Sequence, residues 1–329
     1  MRNWRRDRMR IGIYKDTLAN RRGADVAVLA LAEGLRERGF EVEVFERPQL
    51  GEKVAEPWDV MVSTGTNEIL DLAAAFPEKF PWPVVQQFHT NPKSQFKWKK
   101  FRRNWKVRKV LRRVDVIQVL SAEFIPQVAK YGTRVEVIGN WSKYAAVDAV
   151  PTAERAIIYP AAFHTLKCQD LLIKAFAKVA GDFPEWCVKL FGADKTKFAE
   201  KCRRLVAKLG LSDRVLFCGF SDRLDEEYAK CAFVAFPSFS EGFGLVLADA
   251  AMFRKPSLMV HDWIGSAANG GGIVTKPTVG AYAEGLRRLM SDPALCRAMG
   301  DAACGFCEKT YSRDRILDAW ESLLSGFSA

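Results

Sequence analysis

The most informative segment of this 329-residue chain runs from Ala235 to Ala250 and reads AFPSFSEGFGLVLADA. It predicts a buried strand that ends in a Pro-Ser turn, followed by a glycine-flanked Phe and the start of a helix. Gly242 and Gly244 allow a sharp turn and a close approach of the backbone to a ligand. Because the first turn of a helix has free N–H groups and the positive end of the helix dipole, this turn suits an anion.

Two carboxylates flank this predicted anion site. Glu241 precedes the helix, Asp249 lies within it, and seven residues separate them, which places Asp249 about two turns further along. A sugar nucleotide needs N–H donors for its diphosphate and carboxylates for the hydroxyls of its ribose and sugar. The segment resembles the signature of retaining glycosyltransferases of family 4, in which seven residues separate two Glu. Here Asp249 stands at the second acidic position.

Short apolar strands alternate with helices along the chain, which predicts an α/β fold with parallel, doubly wound sheets. The family resemblance implies the GT-B architecture, in which two Rossmann-like doubly wound domains face a cleft. We expect strands near residues 10–14, 42–45, 58–63, 83–89, 114–121 and 135–140, and again near 156–159, 188–191, 215–219 and 233–236.

The linker between the two domains is predicted at residues 148–154, which include Pro151. We therefore expect the first Rossmann-like domain at 1–150 and the second at 151–310. The resemblance implies that the first domain faces the acceptor and the membrane, and that the second binds a nucleotide-sugar. It also implies that a C-terminal helix, at about 311–329, packs back on the first domain.

Ligands of open parallel sheets bind at the carboxyl ends of the strands, and several polar or glycine residues follow the predicted strands. The resemblance implies catalytic roles for His89, Lys167 and Glu241. His89 would orient a sugar hydroxyl, and Lys167 would neutralise the diphosphate as the leaving group departs. The residues implied for donor binding are Gly23, Gly219, Phe243, Gly244, Leu245, Val246 and Asp249.

Simpler interpretations of these residues stay open at this level. Gly23 and Gly219 also suit ordinary turns, His89 also suits a structural role in the core, and Lys167 also suits a solvated surface. The two acids of the signature also suit a helix whose dipole favours negative charge.

The chain departs from the family at one catalytic position. The family has a Gly-Arg-Leu block ahead of its Lys, and this chain reads Ala161-Ala162-Phe163 there. One of two expected cations is therefore missing, although His164 is close enough in sequence to compensate in part. A GT-B relative that binds glycans without catalysis is therefore an alternative.

Composition and charge limit the class of protein and its partners. The chain is 49% hydrophobic, has a mean hydropathy of −0.10 and carries a net charge of +11, values that suit a globular protein with an acidic partner. No apolar run approaches the roughly 18 residues of a membrane span, and the basic N-terminus lacks a secretory apolar region. We predict a cytoplasmic protein without a bound metal or cofactor.

The positive charge is concentrated between Lys93 and Arg113, where six Lys and five Arg occur without any Asp or Glu. Aromatic residues alternate with these cations, as in interfacial helices that bind anionic lipid. The residues predicted to contact a membrane or acceptor are Lys97, Trp98, Phe101, Arg102, Trp105 and Lys109. On the opposite side of the helix Val107, Val110 and Leu111 are expected to pack on the domain.

Together these patterns and the resemblance predict a metal-independent, retaining hexosyltransferase. Its donor would be a nucleotide-sugar, a UDP-sugar rather than a GDP-sugar. Its acceptor would be a glycolipid or polysaccharide, of the lipopolysaccharide core or capsule type, at the inner face of the cell membrane. The alternative from another class is a nucleic-acid-binding protein that uses residues 93–113, a reading that leaves Glu241 and Asp249 without a role.

Overall fold

The computed structural model describes residues 9–18, 23–95, 101–148 and 154–327, and for residues 95 and 101 the backbone alone. The chain forms two compact units, of which the first comprises Met1–Trp141 with Arg313–Ala329 and the second Ser142–Ser312. Each unit contains a six-stranded sheet. In both sheets every pair of neighbouring strands is parallel. The predicted α/β fold with doubly wound sheets is therefore confirmed.

The sheet of the first unit has the strand order β2-β1-β3-β4-β5-β6. Its middle strands are buried on both faces, which explains why they read as continuous apolar runs rather than as alternating ones. The strands are β1 (Arg10–Lys15), β2 (Glu41–Glu46), β3 (Val60–Ser63), β4 (Val84–Phe88), β5 (Val116–Val119) and β6 (Arg134–Val137). The helices are α1 (Gly23–Glu37), α2 (Leu50–Lys53), α3 (Glu68–Ala75), α4 (Pro92–Gln95), α5 (Phe101–Val110) and α6 (Ile125–Val128).

The sheet of the second unit has the strand order β12-β11-β10-β7-β8-β9. Its strands are β7 (Ala156–Pro160), β8 (Cys187–Phe191), β9 (Val215–Gly219), β10 (Phe233–Phe236), β11 (Ser257–Met259) and β12 (Gly272–Val274). Its helices are α7 (Gln169–Val179), α8 (Lys197–Lys208), α9 (Leu224–Lys230), α10 (Leu245–Met252), α11 (Val279–Ser291) and α12 (Pro293–Tyr311). In the part of the chain that the structure describes, no helix is long and apolar enough to cross a membrane.

A last helix, α13 (Arg313–Ser325), belongs to the first unit and packs on α1. The contact is close, because a Cβ atom at Gly34 would lie 2.7 Å from the Leu317 side chain. At its edge Arg38 donates hydrogen bonds to Asp318 at 2.6 Å and to Asp314 at 3.1 Å. A glycine inside α1 thus provides the room in which α13 lies.

The chain passes from the first unit to the second at residue 141, ahead of the predicted linker at 148–154. Residues 142–148 pack on the second unit. The N–H of Val147 donates to the Met252 carbonyl at 2.9 Å, and the Tyr144 ring lies edge-on against Phe253 at 5.1 Å. The linker was predicted at 148–154 because of Pro151. Residues 142–148 belong to the second unit because they contact residues about a hundred positions later in the chain.

Cys168 precedes α7 in the left-handed region, at φ 54°, and its thiol, a weak donor, lies 3.3 Å from the Thr165 carbonyl. A side chain there costs about 1 kcal/mol relative to an unstrained backbone. We expect Cys168→Gly to stabilise the second unit by about 0.5–1 kcal/mol in urea unfolding. Arg254→Gly is the control, because Arg254 has φ 52° but bonds Val147 and Asp301 through its guanidinium. Arg254→Gly should therefore destabilise the unit, and a loss in both variants would contradict the strain at residue 168.

Candidate functional site

The central strands of the second sheet, β7 and β10, are neighbours in space but not in sequence. The chain leaves them toward opposite edges of the sheet, β8 and β9 on one side and β11 and β12 on the other. Such a switch point opens a crevice at the carboxyl ends of the strands, and ligands of doubly wound sheets bind there. The loop after β7 carries Lys167 and the loop after β10 carries Glu241.

Lys167 and Glu241 form an ion pair at this crevice. Lys167 Nζ donates to Glu241 Oε1 at 2.6 Å, and the two side chains are 28% and 12% exposed. The interpretation of Lys167 as a solvated surface cation is therefore wrong. Two of the three predicted catalytic residues, which are 74 positions apart in sequence, thus lie in direct contact.

Tyr159, in the fully buried strand β7, ties together the two loops that carry this pair. Its hydroxyl donates to the Lys167 carbonyl at 2.8 Å. Because a phenol has a single proton, the Ser238 hydroxyl is the donor in the second contact, at 2.7 Å. Burial raises the pKa of Tyr159 well above its usual value, so that the donor proton is retained. The N–H of Phe239 also donates to the Leu166 carbonyl at 2.8 Å.

Helix α10 begins at this crevice without a side-chain cap. Gly244 precedes it at φ 90°, a conformation that favours glycine. The N–H groups of Leu245 and Val246 lie in the first turn, where an α-helix offers no internal acceptor. Phe243 is 3% exposed and its ring lies edge-on against Tyr311 at 4.9 Å, so its side chain belongs to the core and only its backbone is free to contact a donor.

The neighbouring strand ends hold the loop that departs from the family block. Gly219, at φ 68°, ends β9 and accepts the Gly192 N–H at 2.7 Å. A Cβ atom on Gly192 would lie 2.4 Å from the Ala161 carbonyl oxygen, so only glycine fits there. At Ala162 the methyl group brings no charge to the crevice. His164 accepts the Leu166 N–H at 3.2 Å through Nδ1 and so caps a short turn.

Asp249, the second acid of the signature, accepts a hydrogen bond from Ser142. The distance between Ser142 Oγ and Asp249 Oδ1 is 2.7 Å. Burial raises the pKa of Asp249 to about 6, although the Ser142 hydrogen bond and the Lys143 charge act in the opposite direction. The carboxyl group is therefore ionised at neutral pH but responds to mild acid.

This raised pKa predicts the pH dependence of stability. Between about pH 4 and 6 the folded protein retains a proton on Asp249 that the unfolded chain has lost. The free energy of unfolding therefore decreases as the pH rises through this range, by about 1–3 kcal/mol. Urea unfolding of the wild type and of Asp249→Asn at several pH values isolates this contribution. The wild type should lose stability relative to the variant from pH 4 to 6 and hold a constant difference above pH 7. Parallel curves would show that the pKa of Asp249 is ordinary.

The first unit places His89 at the end of β4, where both ring nitrogens are buried and find no hydrogen-bond partner within the described parts of the chain. Burial, and then the charge of Lys15, lower the pKa of His89 to about 3, so the ring is neutral. Lys15, at the end of β1, bonds Asp16 at 2.6 Å and Glu68 at 2.9 Å. A hydrogen-bonded structural role for His89 finds no partner among the described residues. Gly23, predicted to bind the donor, is the first residue of α1.

Helix α5 and the residues that follow it to Arg113 carry most of the described part of the basic, aromatic segment. Val107, Val110 and Leu111 are buried, as predicted. Trp105 is 51% exposed, and Lys109 Nζ lies 3.9 Å from the centre of its ring. The exposed cations are Arg102, Lys106, Arg108, Lys109 and Arg112. Lys97, Trp98 and the side chain of Phe101 lie outside the described residues.

Sequence reasoning missed Tyr159, Ser142 and the group formed by Lys15 and Glu68. A signal existed for two of them, since Tyr159 and Lys15 are polar residues at the carboxyl ends of buried strands. Ser142 carried no signal, because a single Ser after a Trp is common and its partner is 107 residues away.

Comparisons with known proteins identify the class to which this fold and site belong. The family model of the group 1 glycosyl transferases matches residues 142–306, which include Lys167, Glu241, α10 and Asp249. The structure of Anabaena HepE in complex with UDP and glucose superimposes with a TM-score of 0.80 at 18% identity, over 96% of this chain and 99% of that chain. At that identity the similarity shows the fold alone, which is GT-B.

Two curated relatives match over part of their length. The exopolysaccharide phosphotransferase SCO2592 of Streptomyces coelicolor is 32% identical over 177 residues, 52% of this chain and 18% of that protein. The lipopolysaccharide core biosynthesis mannosyltransferase LpcC of Rhizobium leguminosarum is 28% identical over 162 residues, 46% of each protein. The chain thus spans less than half the length of these relatives. It belongs to the group 1 glycosyl transferases.

Proposed function

We propose that this chain is a retaining, metal-independent hexosyltransferase that moves a sugar from a nucleotide-sugar to a glycolipid or polysaccharide acceptor. The observation that carries the proposal is the pair of Lys167 and Glu241, 2.6 Å apart at the switch point beside the uncapped start of α10. The pair lies within the region that matches the family model.

The chemistry assigned to these residues follows from their charges. Lys167 and the N–H groups of Leu245 and Val246 would stabilise the diphosphate, whose negative charge grows as the bond to the sugar breaks. Glu241 would hold the Lys167 ammonium in place and accept hydrogen bonds from hydroxyls of the transferred sugar. Lys167 and the start of α10 supply the positive charge that a metal ion would otherwise bring to the diphosphate, which supports a reaction without a metal. The neutral ring of His89 is suited to hydrogen bonds with hydroxyls rather than to the binding of an anion.

The donor is proposed to be a UDP-sugar, because HepE binds UDP and glucose in a similar fold. A thermal-shift panel of UDP, GDP and ADP tests this, since a ligand that binds the folded state raises the melting temperature, and at one concentration a tighter ligand raises it more. UDP alone should raise the melting temperature, and Glu241→Ala should abolish turnover without abolishing folding. A protein that no nucleotide stabilises would contradict the proposal, as would turnover that survives in Glu241→Ala.

The acceptor is proposed to be a membrane-associated glycolipid or polysaccharide, and the protein a cytoplasmic enzyme that binds the inner face of the membrane. Two relatives act in exopolysaccharide and lipopolysaccharide metabolism by name. The exposed cations and Trp105 on α5 supply the attraction to anionic lipid, at about 1 kcal/mol for each Lys or Arg near the surface.

We expect the triple variant Arg102→Ala, Trp105→Ala, Lys109→Ala to bind vesicles that contain anionic phospholipid at least 30-fold more weakly than the wild type, since two cations contribute about 2 kcal/mol. Co-sedimentation with the vesicles measures this. The control is Lys174→Ala with Lys178→Ala on α7, which removes the same charge from another exposed surface.

If the two variants lose the same affinity for the vesicles, the binding depends on the net charge of the protein and not on α5. If the wild type binds duplex or single-stranded nucleic acid tightly but does not bind these vesicles, the alternative of a nucleic-acid-binding protein is supported instead.

A further inference from the structure

Ser142 is the first residue of the second unit and contacts the signature helix although it lies far from it in sequence. Its hydroxyl makes two contacts, at 2.7 Å to Asp249 Oδ1 and at 3.1 Å to the N–H of Tyr144. The amide can only donate, so the single hydroxyl proton points at the carboxylate. The direction of this hydrogen bond is therefore determined by the backbone of Tyr144.

The segment that carries Ser142 is attached at a second point to the end of the same helix. Val147 bonds the Met252 carbonyl through its N–H at 2.9 Å and accepts from Arg254 Nε at 2.7 Å. Between the two points the Tyr144 ring packs edge-on against Phe253 and Tyr228. Ser142 is thus held against α10 at both ends of a short loop, as a supporting residue of a binding site must be.

An ionised carboxylate accepts about four hydrogen bonds through its two oxygens. Ser142 occupies one position on Oδ1 and leaves Oδ2 to another donor. The resemblance to family 4 assigns Asp249 to the donor and its hydroxyls, but it assigns nothing to residue 142, which lies far outside the signature.

We propose that Ser142 is a positioning residue that aims the Asp249 carboxylate at the ribose hydroxyls of the nucleotide and so determines selectivity for a ribose over a deoxyribose. This inference rests on the proposed function, because it requires a nucleotide in the crevice.

Isothermal titration calorimetry tests the proposal with the nucleotide, among UDP, GDP and ADP, that binds the wild type most tightly, and with its 2′-deoxy and 3′-deoxy forms. The wild type should bind at least one deoxy form about tenfold more weakly. Ser142→Ala should lose about tenfold for the ribonucleotide and less than threefold for that deoxy form, since a hydrogen bond to a charged group is worth about one order of magnitude or more. Ser142→Thr, which keeps a hydroxyl, should retain the selectivity.

Two further variants separate positioning from a structural role. In an Asp249→Asn background Ser142→Ala should have little additional effect, because the group that it orients is already changed. Ser291→Ala on α11 is the control, since its hydroxyl bonds the Arg288 carbonyl of the same helix at 3.2 Å, and it should bind all three nucleotides as the wild type does.

The outcomes distinguish this inference from the proposed function. If Ser142→Ala binds the ribonucleotide as tightly as the wild type does, the positioning role is wrong and the proposed function stands. The same holds if the variant loses the same affinity for the ribonucleotide and for both deoxy forms. If the wild type binds none of the nucleotides, the proposed function fails and this inference fails with it.

Discussion

Replacing Lys167 by Met is expected to lower the turnover of sugar transfer by about 10²–10³-fold, the usual cost of removing one group that stabilises developing negative charge. The effect is large because Ala162 stands where the family has a second cation, so Lys167 acts without that partner. The Michaelis constant for the nucleotide-sugar should change less than turnover, since the charge on the leaving group is greatest in the transition state.

Initial rates with the nucleotide-sugar measure this effect, and Lys174→Met is the matched control. Lys174 lies on the adjacent helix α7, is 45% exposed and pairs with Asp170 at 3.4 Å. That exposed pair should contribute little to stability and nothing to turnover. If Lys167→Met retains most of the wild-type turnover, Lys167 does not stabilise the leaving group.

Replacing Glu241 by Gln is expected to lower turnover by at least about 100-fold. Gln has nearly the same shape but no charge, so it removes the counter-ion of Lys167 and an acceptor for sugar hydroxyls while preserving the packing. Glu200→Gln, in the first turn of α8 and exposed, is the control and should keep full turnover. If Glu241→Gln keeps most of the wild-type turnover, the role of Glu241 is structural.

Stability measurements on the same variants separate charge pairing from catalysis. Lys167→Met leaves the largely buried Glu241 carboxylate without its partner and should destabilise the second unit by about 1–3 kcal/mol. Adding Glu241→Gln should restore much of that stability but none of the turnover. Recovery of turnover in the double variant would mean that the single variants lose activity only through unfolding.

The central strands of both sheets were predictable from the sequence, because burial on two faces requires uninterrupted apolar runs. Residues 58–63, 83–89, 114–121, 156–159 and 233–236 were all assigned correctly to strands, with ends that differ by two residues at most. β11 (Ser257–Met259) and β12 (Gly272–Val274) were not predicted. Each has three residues, too few for a periodic pattern, and they are strands because the sheet edge beside β10 supplies their partners.

The candidate site was only partly predictable. The glycines, the helix start and the acids at 241 and 249 are contiguous, so one segment indicates all of them. Lys167 was found because a strand and a recognisable block precede it. Tyr159, which holds the Lys167 loop, gave a weaker signal, because a Tyr near the end of an apolar strand is also typical of the core.

The order of residues along this chain, by itself, determined two parallel α/β sheets, the uncapped helix start and the acids around it, because these depend on contacts within a few turns. Only the tertiary structure decided that Lys167 pairs with Glu241, that Ser142 bonds Asp249 and that residues 142–148 belong to the second unit. Those contacts join positions 74 and 107 residues apart. Local pattern has no information at that range, because the strand order that brings such residues together is a property of the whole folded sheet.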